Sequence, residues 1–165
     1  MSELYVKQKF FSLAGKYNVL DKNKQPVYTI KGSFFKIPKS FTILDQFGNQ
    51  VAKITHQPFH MLQTFTISIN NKTVATIKKQ LTLFNSKLTV DAGDIQVNGD
   101  LLGLNFSLKI DGKIIATIKE SALSFAHYYE ISVKNDQYEH ISLAIMLAID
   151  FAKEQSSAAS SSSTN

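Results

Sequence analysis

The sequence predicts a mainly β fold: a twelve-stranded closed antiparallel barrel around a central, buried, apolar C-terminal helix. Three features of the 165-residue chain lead there. Aromatic residues recur at a near-constant interval, the segments between them alternate apolar and polar residues, and one segment near the C-terminus is apolar on every side. A composition of 44% hydrophobic and 19% charged residues, with 7 Gly and 3 Pro, is that of a single folded domain. It excludes collagen, wholesale disorder and a polytopic membrane protein.

Leu4 to Gln8 opens the wall as a first short strand. Phe11, Phe35, Phe59 and Phe84 then follow at intervals of 24, 24 and 25 residues, each opening a unit long enough for two strands. The outgoing strands are Tyr17 to Leu20, Phe41 to Leu44, Phe65 to Ile69, Leu88 to Val90, Phe106 to Ile110 and Tyr129 to Val133. Period two places their Phe, Tyr, Ile and Val on one face and Thr, Ser, Glu or Lys mostly on the other. Turns follow at 21–24, 45–49, 70–72, 91–94 and 111–112, rich in the Asn, Asp and Gly that tolerate positive φ. The returning strands Val27 to Lys31, Val51 to Thr55, Val74 to Lys78 and Ile115 to Lys119 match one another, three of them with Ala then Ile on one face. Together these segments number eleven, and a wall of twelve such short strands suffices to close a barrel and remove exposed edges.

The last element departs from this pattern. Tyr138 to Glu154 carries Ile141, Leu143, Ile145, Met146, Leu147, Ile149 and Phe151 on all sides, and a helix apolar all round must be surrounded. Asp136 with Glu139 reads as an N-cap with a variant capping box. Inward-facing Ala52, Ala75 and Ala116 leave room for a helix about 10 Å across. Residues 1–154 form the expected domain. Residues 155–165, Ser- and Ala-rich with no large apolar side chain, are expected to be a disordered tail.

The chemistry open to the chain is narrow. Zero Cys removes disulfides, thiolate metal sites and a cysteine nucleophile, and no phosphate loop, nucleophile elbow or metalloprotease motif occurs. His56 and His60 have a ligand-like spacing, but Pro58 between them breaks the helix that would align them. Asp91 and Asp94 read as a hairpin turn, far short of the 6–8 oxygen ligands of a Ca²⁺ site. Asp150, within the apolar helix, reads as an acid near the helix exit that reaches water or a hydrogen-bond donor. The expectation is a non-enzyme without cofactor or metal. All 18 basic residues are Lys, so the net charge of +5 attracts anions without the planar guanidinium fork that reads guanine. Nucleic acid is therefore not an expected partner. The start of the chain lacks a basic region followed by an apolar run, and Ile141 to Phe151 is too short to span a bilayer, which reads as a cytoplasmic protein with no transmembrane span.

The opening Leu4-Tyr5-Val6-Lys7-Gln8-Lys9-Phe10, the unit Pro26-Val27-Tyr28-Thr29-Ile30-Lys31-Gly32, the segment Val74-Ala75-Thr76-Ile77-Lys78-Lys79 and the closing Leu143 to Asp150 resemble the LURP-one-related family over residues 4 to 152. The resemblance implies the fold shared with tubby C-terminal domains and phospholipid scramblases, a barrel around a central helix, with no enzyme activity and an association with membranes or phosphoinositides. Tubby lipid sites include an arginine and this chain has none, so no site residue carries over.

Equivalent units bring the ends of the returning strands to one pole of the barrel. That pole collects Lys31, Lys78, Lys79 and Lys119, with Lys36 and Lys39 in an adjoining loop, beside apolar loops such as Phe10-Phe11, Phe34-Phe35 and Pro58-Phe59. Two roles fit those loops: a plug over the barrel end, or a rim that touches anionic phospholipid. A protein-interaction scaffold is the alternative function. Thr29, Thr42, Thr66, Thr76, Ser107 and Thr117 would then present a partner surface on the outer wall.

Overall fold

The computed structural model describes residues 1–7, 16–33, 38–57, 62–81, 86–121 and 128–161. Its elements in chain order are β1 (Ser2–Lys7), β2 (Lys16–Asp21), β3 (Pro26–Ser33), β4 (Ser40–Asp45), β5 (Gln50–Gln57), β6 (Gln63–Ile69), β7 (Lys72–Leu81), β8 (Ser86–Asp91), β9 (Gln96–Asp100), β10 (Asn105–Ile110), β11 (Lys113–Ser121), β12 (Tyr128–Val133) and α1 (Glu139–Ser161). All twelve strands belong to one antiparallel sheet in the order β8-β7-β6-β5-β4-β3-β2-β1-β12-β11-β10-β9. Pairing of β1 with β12, from Ser2↔Val133 to Lys7↔Tyr128, joins the first and last strands and wraps the sheet into a nearly closed barrel.

The closure expected from sequence stops one ladder short, because β8 and β9 are the two ends of the sheet and are not paired neighbours. The composition of β9 accounts for this. Gln96, Asn98, Gly99 and Asp100 are exposed and only Val97 is half-buried, so β9 lacks the apolar returning motif of the other units. Gly99 also sits at φ 130 against β10, where a Cβ would lie 2.6 Å from the Asn105 carbonyl oxygen.

The repeat is visible in backbone detail. The β2–β3, β4–β5 and β6–β7 ladders shift register after Val19, Ile43 and Ile67, positions 24 residues apart. Asp21 and Asp45 build the same turn: each Oδ1 accepts from the backbone N–H two and four residues on, at 2.8–2.9 Å. Lys24 and Gly48 take the equivalent left-handed position at φ 62 and 86.

Inside the wall, every residue from Ile141 to Ala152 is buried, and α1 packs against β5, β6, β7 and β12. The helix is central, as its all-round apolar surface requires. Ala52, Ala75 and Ala116 are buried, as expected of positions facing it. Two details differ from expectation. The cap is Asn135, whose side chain accepts from the Gln137 N–H at 3.1 Å and opens a short 3-10 turn at Asp136–Tyr138. Asp136 instead lies 3.5 Å from the N-terminal amine, and Glu139 accepts from the Tyr28 hydroxyl at 2.5 Å. The helical backbone also continues to Ser161, through 155–161 of the segment expected to be a disordered tail. Each added helical residue costs little once a long helix is nucleated, and Ala is the best helix former. Residues 162–165 lie outside the described residues.

Candidate functional site

Alternation of direction around the sheet puts the ends of β1, β3, β5, β7, β9 and β11 at the same pole as the starts of β2, β4, β6, β8, β10 and β12. The helix leaves the barrel at this pole. Near its exit, the Phe151 ring meets Phe41 at 4.4 Å and Phe65 at 5.2 Å between centroids, with His56 at 6.5 Å. His56 stacks on Phe65 at 5.0 Å, and burial, reinforced by the nearby Lys39 charge, holds its imidazole below the ordinary histidine range. The helix enters at the opposite pole, where His140 packs edge-on against Tyr28. Burial and the Glu139 carboxylate raise the pKa of the Tyr28 hydroxyl.

The six lysines expected at the exit pole do not form one set. Lys31 on β3 and Lys78 on β7 are exposed there, and Lys39 is half-buried just before β4. Lys119 on β11 is exposed but pairs with Glu130 at 3.2 Å. Lys36 lies outside the described residues. Lys79 does not belong to the surface at all: it is 1% exposed, and its Nζ donates to the Ala152 carbonyl at 2.8 Å. Period two explains the correction, since Ala75, Ile77 and Lys79 share the inner face of β7 while Lys78 points out. Burial lowers the Lys79 pKa below the ordinary lysine value.

Three exposed lysines at this pole escaped the sequence reading: Lys7 at the end of β1, Lys16 at the start of β2 and Lys87 at the start of β8. Lys16 stands directly opposite Lys31 in the β2–β3 ladder, a like-charge pair that disfavours the sheet and favours an anion nearby. Each outgoing strand begins where a returning one ends, so the strand starts carried the signal. Lys7, Lys16, Lys31, Lys78 and Lys87 have no carboxylate partner among the described residues. The acidic residues on these strand ends are Asp100, Glu120 and Glu130. Asp100 accepts from the Gly103 N–H, and Glu130 holds Lys119. At the opposite pole, the turns interleave Asp21, Asp45, Asp91, Asp94 and Asp111 with Lys22, Lys24, Lys72 and Lys113.

The remaining candidates form no metal-ligating cluster among the described residues. His60 lies outside the described residues, as do most of the apolar loops assigned to a plug or a rim. Asp91 closes β8 and Asp94 lies in the turn after it, both exposed, and no cluster of three or more metal-ligating side chains occurs among the described residues. Asp150 is buried within the barrel, at 2% exposure. No described helix is long and apolar enough to cross a membrane.

A family profile described as LURP-one-related matches residues 2–150, nearly the whole barrel and its helix. The chain belongs to the LURP-one-related family. Among the proteins this LURP-one-related chain is similar to is "Uncharacterized protein YxjI" of Bacillus subtilis (strain 168), 26% identical over 150 residues that cover 91% of this chain and 93% of that one. An X-ray structure of a protein from Arabidopsis thaliana superimposes with a TM-score of 0.61 at 16% identity, covering 92% of this chain and 91% of the other. That likeness is one of fold.

Proposed function

We propose that this LURP-one-related domain is a non-catalytic, peripheral binder of anionic phospholipid surfaces that docks by the pole where α1 leaves the barrel. The exposed lysines at that pole, unpaired among the described residues, carry the reading: Lys7, Lys16, Lys31, Lys78 and Lys87 come from five strands and converge on one end. Each lysine near an anionic surface contributes about 1 kcal/mol at low salt. A ring of point charges without Arg grips no single headgroup bidentately, so binding follows surface charge density more than headgroup identity. A barrel filled by a helix leaves little room for a catalytic pocket, which supports a binding role over an enzymatic one.

Sedimentation with phosphatidylcholine vesicles, with and without phosphatidylserine, at low and high salt tests this reading. The expected result is binding to the anionic vesicles at low salt that falls steeply as salt rises. Absence of binding to anionic vesicles at low salt overturns it. A second reading, a protein-interaction scaffold, draws on Phe47. This ring is 80% exposed on the rigid β4–β5 turn at the opposite pole, a placement suited to anchoring a protein partner.

A further inference from the structure

The sheet ends at two edges, β8 and β9, and only β8 is free of positive-φ backbone. β9 is distorted at Gly99, and irregular backbone of this kind blunts an edge. β8 has no positive-φ residue, and, as β9 does with β10, it pairs with β7 residue for residue, from Leu81↔Ser86 to Thr76↔Asp91, without a register shift. Its other side faces no paired strand. A straight free edge recruits another strand unless proline or uncompensated charge prevents it. β8 contains no proline, and its charges are self-complementary. Lys87, Thr89 and Asp91 are exposed on the outer face, Leu88 is buried on the inner face and Val90 is half-buried there.

Opposite residues in an antiparallel pair share a face, so β8 can pair with a second β8 only in registers centred on a residue. Centred on Thr89, Lys87 of each copy stands opposite Asp91 of the other, and Leu88 stands opposite Val90. Centred on Leu88 or Val90, Lys87 faces Thr89 or Gly93 and both ion pairs are lost. We propose that the β8 edge joins two copies of this chain in a weak two-fold dimer whose axis passes through Thr89. The contact is short and its ion pairs are exposed, so the dimer is concentration-dependent and salt-sensitive.

Sedimentation equilibrium of the full chain from about 10 μM to about 1 mM tests the proposal at low and high salt. The expected result is a monomer–dimer equilibrium that salt weakens. Lys87→Glu and Asp91→Lys, each placing like charges in opposition twice, weaken it about tenfold, while the double swap K87E/D91K returns it to the wild-type value. Lys87→Gln, the mildest change, weakens it about threefold and serves if a charge reversal lowers the melting temperature. A chain monomeric at about 1 mM overturns the proposal. So does a dimer indifferent to the single reversals, or a double swap that restores nothing.

Discussion

At the residue scale, Lys79 shows how a position that looks like surface chemistry becomes interior structure. Its side chain crosses from the wall to the axle and donates to a carbonyl of the helix it surrounds, 73 residues away in sequence. The inward parity was legible, because Ala75, Ile77 and Lys79 alternate without interruption; a lysine is simply almost never fully buried. A carboxylate at this position would face the Ala152 carbonyl in a buried site, so Lys78 is the lysine of the pair suited to tests of surface binding. Methionine keeps the length of Lys79 without its charge, and replacing a buried polar contact by apolar packing is often neutral or stabilising. Lys79→Met is therefore expected to melt at or above the wild-type temperature at neutral pH, whereas Lys79→Ala, which leaves a cavity, loses about 2 kcal/mol. The pH dependence separates charge from packing. Burial holds the folded-state pKa of Lys79 below its ordinary 10.5, so between the lowered value and 10.5 the unfolded chain binds the proton more firmly. Wild-type stability accordingly rises with pH across that window, and Lys79→Met removes the rise. Urea denaturation at a series of pH values from 7 to about 10.5 checks both points; a curve of unchanged slope in Lys79→Met contradicts the assignment.

At the scale of elements, the 24-residue unit is a structural unit as well as a sequence pattern. The same Asp-capped turn and the same register shift recur at equivalent positions in the first two units, and the shift recurs again in the third. The strands were legible because Phe, Ile and Val alternate with Thr and Ser in nearly every one. The seam between β8 and β9 was legible only as a gap, since the stretch directly after Asp94, residues 95–100, does not repeat the returning motif. Asn135 was passed over as a cap because Asp136 and Glu139 fit a capping box in sequence, while the fold directs their side chains to the N-terminal amine and to Tyr28. Comparison of the first two turns also yields a prediction. Gly48 takes its left-handed position without strain, but Lys24 holds φ 62 with a Cβ, a conformation that costs an L-residue about 1 kcal/mol. Lys24→Gly relieves that cost, although the extra freedom of glycine in the unfolded chain offsets part of it. The expected outcome is a gain of up to about 1 kcal/mol in urea denaturation. A loss of stability would mean that the Lys24 side chain makes contacts that outweigh its backbone strain.

At the scale of the whole molecule, one packing requirement generates both the architecture and the proposed surface. An apolar helix must be enclosed, an even-numbered up-and-down wall encloses it, and strict alternation of strand direction sorts every connection to one pole or the other. The overall architecture was legible because it follows from periodicity alone. The membership of the lysine ring was less so: proximity in sequence grouped Lys78 with Lys79, while the fold separates them by face and adds Lys7, Lys16 and Lys87 from strands distant in sequence. The result is a molecule with unlike ends, one bearing lysines with few counter-charges and the other mixing acids and bases in tight turns. Binding driven only by the net charge of +5 would respond equally to charge reversal at either end. Docking by the helix-exit pole would not. Lys31→Glu with Lys78→Glu is expected to weaken partitioning onto phosphatidylserine vesicles by at least about tenfold at about 0.1 M salt, since each reversal removes one attraction and adds one repulsion. Lys22→Glu with Lys113→Glu makes the same change in net charge at the turn pole, and is expected to leave partitioning within about twofold of wild type, because those charges lie farther from the surface than a Debye length of about 10 Å at 0.1 M salt. Vesicle sedimentation of the two double variants side by side decides the matter: equal losses would make the interaction a property of overall charge and leave the exit pole without a special role.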